Sequence, residues 1–273
     1  MVVPSEARAC AGGRSPSGSP IALDDSRLID TWDRASRLAR PWRELALLAS
    51  ASGIPVDELA RLTIGERDRL LLALRIGTFG NRLECETRCP ACETRLELSF
   101  DASELLTPAP SVAEQDFEIV EDDWTVRFRL PTSYDIAGTP DADELAARLI
   151  SSLVIPGSAS DEGPLSAQEV STARPRDQFL PSVRMTVRER VAARMVELDP
   201  QADITLDLSC AACGNRWEAP FDPAAFLFSE VEAAVGRLTS EVHQLARAYA
   251  WSEESILAMG ATRRRRYLDL VAQ

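Results

Sequence analysis

The chain is predicted to be an α+β protein, built from a duplicated helix-plus-β-hairpin unit with an acidic hairpin-and-helix insert and a helical C-terminal tail. Three observations predict it. Stretches whose apolar residues recur every three or four positions alternate with short stretches in which they recur every second position. A shift of 121 residues lays Cys89 on Cys210, Cys92 on Cys213, Arg95 on Arg216, Glu97 on Glu218, Phe100 on Phe221 and Asp101 on Asp222. Such a repeat implies two similar units related by an approximate twofold. Finally, segment 101–162 holds 14 acidic and 3 basic residues, a balance of −11 against −13 for all 273 residues, so the acidity is local.

Residues 1–26 are rich in Gly, Ser and Pro, show no apolar period and are expected to be a disordered tail. Residues 27–62 read as a helical region: Leu28, Ile29, Trp32, Leu38, Trp42, Leu45 and Leu48 share one face, Pro41 divides it, and another helix starts near Pro55. The first repeat, 63–110, opens on Thr63 and Glu66. They are spaced as a capping box, in which each side chain satisfies an otherwise orphaned amide, and the helix Arg67–Ile76 follows. Gly77, Gly80 and Asn81 are expected to end it. Leu83, Cys85 and Thr87 then alternate toward Cys89-Pro90-Ala91-Cys92, and Leu96, Leu98 and Phe100 alternate after it, which predicts a hairpin with a cysteine knuckle at its tip.

In the insert, 111–180, strands over 117–120 and 124–130 flank Glu121-Asp122-Asp123, a helix follows over 141–153, and a Ser, Gly and Ala-rich linker spans 156–175. The second repeat, 181–230, has its own Thr186/Glu189 box before a helix from Arg190 to Leu198, then the knuckle Cys210-Ala211-Ala212-Cys213. The tail, 231–273, reads as an amphipathic helix Glu241–Tyr249, a helix Glu253–Met259 capped by Ser252, and a last helix Ala261–Val271. Trp251, Ile256, Leu257, Tyr267 and Leu270 are its expected contacts, either over the core or as a clip that docks on a partner.

Two Cys-x-x-Cys knuckles are what a tetrahedral Zn²⁺ site needs, since each tight turn offers two thiolates on one side. Cys89, Cys92, Cys210 and Cys213 are therefore the expected ligands of one shared Cys₄ zinc, in a zinc-ribbon-like arrangement. The 117 residues between Cys92 and Cys210 are no obstacle, because loop closure costs only about 0.6 kcal/mol per doubling of length. Four thiolates leave no open position, so the zinc would be structural. Free buried thiols or a redox Cys-x-x-Cys are the other readings, and two equivalent copies fit redox chemistry poorly. Cys85 corresponds to Leu206 in the repeat and reads as a buried small thiol.

Enzymatic function has no positive support. All 30 basic residues are Arg and His243 is the only histidine, which removes Schiff-base, P-loop and paired-histidine chemistry. His243 reads as a packing residue on a helix. Arg263–Arg266 reads as a solvated or salt-bridged face, because a chain at −13 is a poor general binder of nucleic acid. The carboxylates 121–123 suit a turn. No run of about 18 apolar residues is present to span a membrane, and no secretory signal is visible. A cytoplasmic location and protein partners are expected, with no small-molecule substrate.

The segment Thr63-Ile64-Gly65-Glu66 through Arg75, Phe79-Gly80, Cys89-Pro90-x-Cys92 and Leu96-Glu97-Leu98-x-Phe100-Asp101 resembles the baseplate hub-assembly proteins of T-even-type contractile phages and of phage-tail-like contractile injection systems. Leu245-Ala246-Arg247-Ala248-Tyr249-x-Trp251, Ile256-Leu257 and Arg263 to Leu268 are similar to the ends of such proteins. The resemblance covers about 60–101 and 186–273. It implies a non-enzymatic structural or assembly protein of a contractile particle's baseplate, cysteines that hold a fold-stabilising metal, and hub, spike or other baseplate proteins as partners. A zinc-ribbon transcription or nucleic-acid regulator is the alternative that the cysteine pattern leaves open.

Overall fold

The computed structural model describes residues 21–107, 116–121, 124–138, 142–154 and 181–273. They fall into two units, one drawn from residues 1–60, 67–108 and 204–273, the other from 61–66 and 109–203. Helices and small antiparallel sheets make up both, an α+β architecture.

The first unit holds helices α1 (Asp25–Ala35), α2 (Trp42–Ser52) and α3 (Val56–Arg61), and most of α4 (Ile64–Phe79). Strands β1 (Arg82–Arg88) and β2 (Arg95–Asp101) follow. Pro41 separates α1 from α2 as its backbone requires, following a cis peptide bond. The expected tail 1–26 lies mostly outside the described residues, and its last residues belong to the core: Ile21 and Leu23 are buried, and the Asp24 carboxylate accepts from Arg27 N to cap α1. Leu28, Leu45, Leu47, Leu48, Leu59, Leu71, Leu74 and Leu83 are buried with them.

Gly77 does not end α4, which runs on to Phe79; Gly80, at φ +91°, ends it. The glycine serves a close approach instead, because a Cβ on Gly77 would lie 2.1 Å from the Ile21 carbonyl oxygen. Gly77→Ala should therefore lower stability by about 2 kcal/mol through overpacking, although Ala is the better helix former by about 1 kcal/mol. Urea unfolding of the variant checks the sign; a gain in stability would show that Ile21 is not held there.

In the second unit, β3 (Phe117–Glu121), β4 (Trp124–Phe128) and β5 (Ile150–Val154) form an antiparallel sheet in the order β3-β4-β5. Helices α5 (Ser133–Ala137), α6 (Ala142–Leu149) and α7 (Pro181–Leu198) accompany it. Trp124, Val126 and Phe128 point to one face and bury against Val187 and Val191 of α7, as strand and helix periods dictate. The helix expected over 141–153 is shorter. It stops at Leu149, and Leu153 instead pairs with Val126, since β4 would otherwise carry an unpaired edge. The Thr186/Glu189 box does not open a helix either: α7 starts a turn and a half earlier, at Pro181, a residue suited to a first helical position. The expected linker over 156–175 lies outside the described residues.

The first turn of α4 belongs to this unit, and its amides are all answered. Thr63 and Glu66 form the expected reciprocal box, Ile64 N donates to the Pro131 carbonyl, and Gly65 N donates to Asp199 Oδ2 at 2.8 Å.

A second box, Thr132 and Asp135, caps α5. The Arg129 guanidinium, bonded to both Asp135 oxygens at 2.7 and 2.6 Å, holds that carboxyl down to about 2. With a folded value below the unfolded one, its contribution is present above about pH 4 and is lost as pH falls toward 2, on the order of 2 kcal/mol. Asp135→Asn should lower stability at pH 7 and flatten its decline between pH 4 and 2, which denaturant unfolding across that range measures. An unchanged acid profile would count against the pair.

Candidate metal centre

The two knuckles come from equivalent hairpins of the first unit. In β1-β2, Leu83 faces Phe100 and Arg88 faces Arg95, so the strands lead directly into Cys89–Thr94. The second hairpin pairs β6 (Thr205–Ser209) with β7 (Arg216–Pro220), Ser209 facing Arg216 across Cys210–Asn215. Both tips close in the same way. Cys89 N donates to the Thr94 carbonyl and Glu93 N to the Cys89 carbonyl; Cys210 N donates to the Asn215 carbonyl and Gly214 N to the Cys210 carbonyl. Each turn requires a left-handed residue before its last position, supplied by Glu93 at φ 58° and Gly214 at φ 72°. Glycine meets that requirement in the second copy and a side-chain residue in the first, so the shared geometry is hidden from the sequence at that position.

The tips bring the four sulfurs together, all within 4.8 Å of one another. Cys89 Sγ lies 3.7 Å from Cys213 Sγ, and Cys92 Sγ lies 3.6 Å from Cys210 Sγ. The first cysteine of each knuckle is buried and the second exposed. These separations match the edge of a tetrahedron with bonds of about 2.3 Å, which is about 3.8 Å. Gathered in this way, the four could hold one metal ion.

Electrostatics show what a cation would relieve. The Cys92 thiol is lowered to about 6, chiefly because the Thr94 hydroxyl and backbone stabilise its thiolate. Cys213 is pushed up to about 12: the Asn215 backbone favours its thiolate, but the adjoining Cys92 sulfur, burial and the remaining cysteines outweigh that help. Four thiols this close cannot all ionise without a positive charge among them.

Cys85 is half-buried, and desolvation raises its thiol. It does not join the four sulfurs but lines an apolar cleft of about 370 Å³ between the hairpins, with Leu98, Leu206, Leu208 and Phe226. Cys10 lies outside the described residues. His243 is exposed on α8 (Pro223–Tyr249). Glu121 pairs with Arg190, while residues 122 and 123 lie outside the described set.

Of the arginine run, Arg263, Arg265 and Arg266 are exposed, as a solvated face requires, and Arg264 is not. On α10 (Ala261–Val271), Arg264 is buried and binds Glu241 on α8 and Asp25 on α1, so it clamps the tail to the core. Ile256 of α9 (Glu253–Leu257) is buried as expected, whereas Leu270 is 58% exposed. Sequence reasoning also passed over Arg75, whose only signal was a charge on the apolar side of α4. It is buried and joins α4 to β1 and α8.

The hairpin pair, the cysteine cluster and the acidic sheet unit all lie within residues 47–227, which match the family model described as T4 bacteriophage base plate protein. The chain belongs to this family. No curated protein matches it, and no solved structure does. The base plate family match takes in the acidic insert, where the sequence showed no specific likeness, and stops inside α8, so the tail from 228 onward lies beyond it. Among the described residues, no helix is long and apolar enough to cross a membrane.

Proposed function

We propose that the chain is a non-enzymatic structural or assembly protein of the baseplate of a contractile phage-tail-like particle, with hub, spike or other baseplate proteins as its partners. The family match over 47–227 carries the reading. In this reading Cys89, Cys92, Cys210 and Cys213 hold one structural Zn²⁺, which draws two zinc-ribbon-like hairpins into a single body, while the remaining surfaces bind protein. Zinc is favoured by an all-thiolate, closed, tetrahedrally spaced donor set.

Two contacts support a duplicated pair related by an approximate twofold. Phe100 meets Phe221, its own equivalent under the repeat, with ring centroids 6.3 Å apart. The first cysteine of each knuckle sits beside the second of the other, the reciprocal pattern that a twofold imposes.

Deleting the gene in its native host is expected to abolish assembled particles, and tagged protein should co-purify with spike, hub or other baseplate subunits identified by mass spectrometry. Complete particles in the deletion strain would overturn the proposal. Presence in sedimented particles would mark a component, and absence an assembly factor. Salt-sensitive recovery of nucleic acid without tail proteins would favour the regulator reading instead. Against that reading stands Arg264, whose charge is spent inside the fold.

A further inference from the structure

Of the four clustered cysteines, Cys89 and Cys210 are buried, and Cys92 and Cys213, the second of each knuckle, are exposed. The repeat makes these two equivalent, yet their surroundings differ. Each receives the backbone amide of the residue two positions on, Thr94 for Cys92 and Asn215 for Cys213. Cys92 has a further partner in the Thr94 hydroxyl, 3.2 Å from its sulfur. Asn215 stands where the first copy has Thr94 and serves Cys213 through its backbone. Steric cover differs in the same sense: Cys92 is followed by Glu93, Cys213 by Gly214, which brings no side chain.

Cysteines that bind a metal do so as thiolates, so in the metal-bound protein protonation no longer tells the four apart. Access and hydrogen bonding do. A donor bonded to a thiolate engages the electron pair that an electrophile must take, and a charge-assisted bond of this kind is about twice as strong as a neutral one. Cys92 has one more such bond to give up than Cys213. We infer that Cys213 is a covalent modification site, the thiolate at which a soft electrophile such as an α,β-unsaturated carbonyl compound opens the metal centre. The sulfur lone pair forms a bond to the β-carbon, the π electrons pass to the carbonyl, and the α-carbon takes a proton from water. A neutral thioether replaces an anionic ligand, and the three thiolates left behind yield the metal to a chelator. The inference rests on the structural-metal reading of the cluster.

The test follows full-length, zinc-loaded protein over time with N-ethylmaleimide and a chromophoric zinc chelator. Cleavage after arginine puts each knuckle on its own peptide, 89–95 and 195–216, apart from Cys10 and Cys85, and fragmentation locates the adduct. Cys213 should be labelled about fivefold or more faster than Cys92, with one zinc released per Cys213 adduct. Thr94→Val, which removes the hydroxyl, should bring Cys92 up toward Cys213. Asn215→Thr, which places a hydroxyl in the second tip, should slow Cys213 about fivefold. The two substitutions shift the ratio through opposite knuckles, so a general loosening of the fold does not produce both results. Labelling first at Cys92 or at a buried cysteine, equal rates in wild type, or a ratio unmoved in both variants would overturn the inference. Elemental analysis before the reagent is added separates the two failures: protein without metal overturns the structural-metal reading and the inference with it, whereas metal held and released through another cysteine overturns only the assignment to Cys213.

Discussion

Cys89→Ser is expected to lose the bound metal and to unfold the paired hairpins, whereas Cys85→Ser should do neither. The reason lies in how little else holds these strands. Across β1, β2, β6 and β7 only Leu83 is fully buried, and the other inward positions are half-exposed. Isolated two-stranded hairpins are marginal in water, and half-buried side chains recover only part of the 1.5–3 kcal/mol or so that full burial of each would give. A structural Zn²⁺ contributes on the order of 10–16 kcal/mol to small domains of this type, enough to decide the balance. Removing one of its four thiolates should cost several kcal/mol, and a strong chelator should act on wild type in the same direction. Metal content by elemental analysis, read beside a melting curve, checks both halves. Equal melting of the Cys89 and Cys85 variants, with no metal in wild type, would sink the structural-metal reading.

The cysteine cluster was legible in the sequence because its pattern is local: a knuckle is four residues long, and the repeat supplies its partner. The Thr63/Glu66 box, the Ser252 cap and the hairpins were legible for the same reason, each being closed by neighbours within a few positions. What escaped depends on distant chain. Residues 150–154 have a spacing that suits helix or strand equally, and the free edge of β4 chooses. Gly77 looks like a helix stop until Ile21 is brought against it. Thr186 and Glu189 have the spacing of a box but lie inside a helix that begins at Pro181. Arg264 and Arg75 share this character, since nothing in a run of arginines tells which one will find carboxylates from elsewhere.

Arg75 gives the largest expected effect outside the cysteines. Its guanidinium is buried and makes four bonds: Nε and Nη2 to the two Glu230 oxygens at 2.9 Å each, Nη1 to the Gly80 carbonyl and Nη2 to the Arg82 carbonyl at 2.6 Å each. It therefore fixes the end of α4, the turn at Gly80 and the start of β1 against α8. Arg75→Met should cost about 3–5 kcal/mol, because it strands the Glu230 carboxylate and two carbonyls rather than merely deleting an attraction. Arg75→Lys should recover little, as one ammonium cannot serve a bidentate carboxylate and two carbonyls at once. Adding Glu230→Met to Arg75→Met should restore part of the loss, a coupling that a double-mutant cycle in urea would measure. The consequence reaches the metal. β1 leads to the first knuckle and β7 runs through Asp222 into α8, so Arg75 and Glu230 tie together the supports of the two knuckles. Metal should accordingly be lost at lower chelator concentration in Arg75→Met than in wild type, and partly regained in the double variant. Unchanged chelator sensitivity in a destabilised Arg75→Met would show that the cysteines preorganise without these supports.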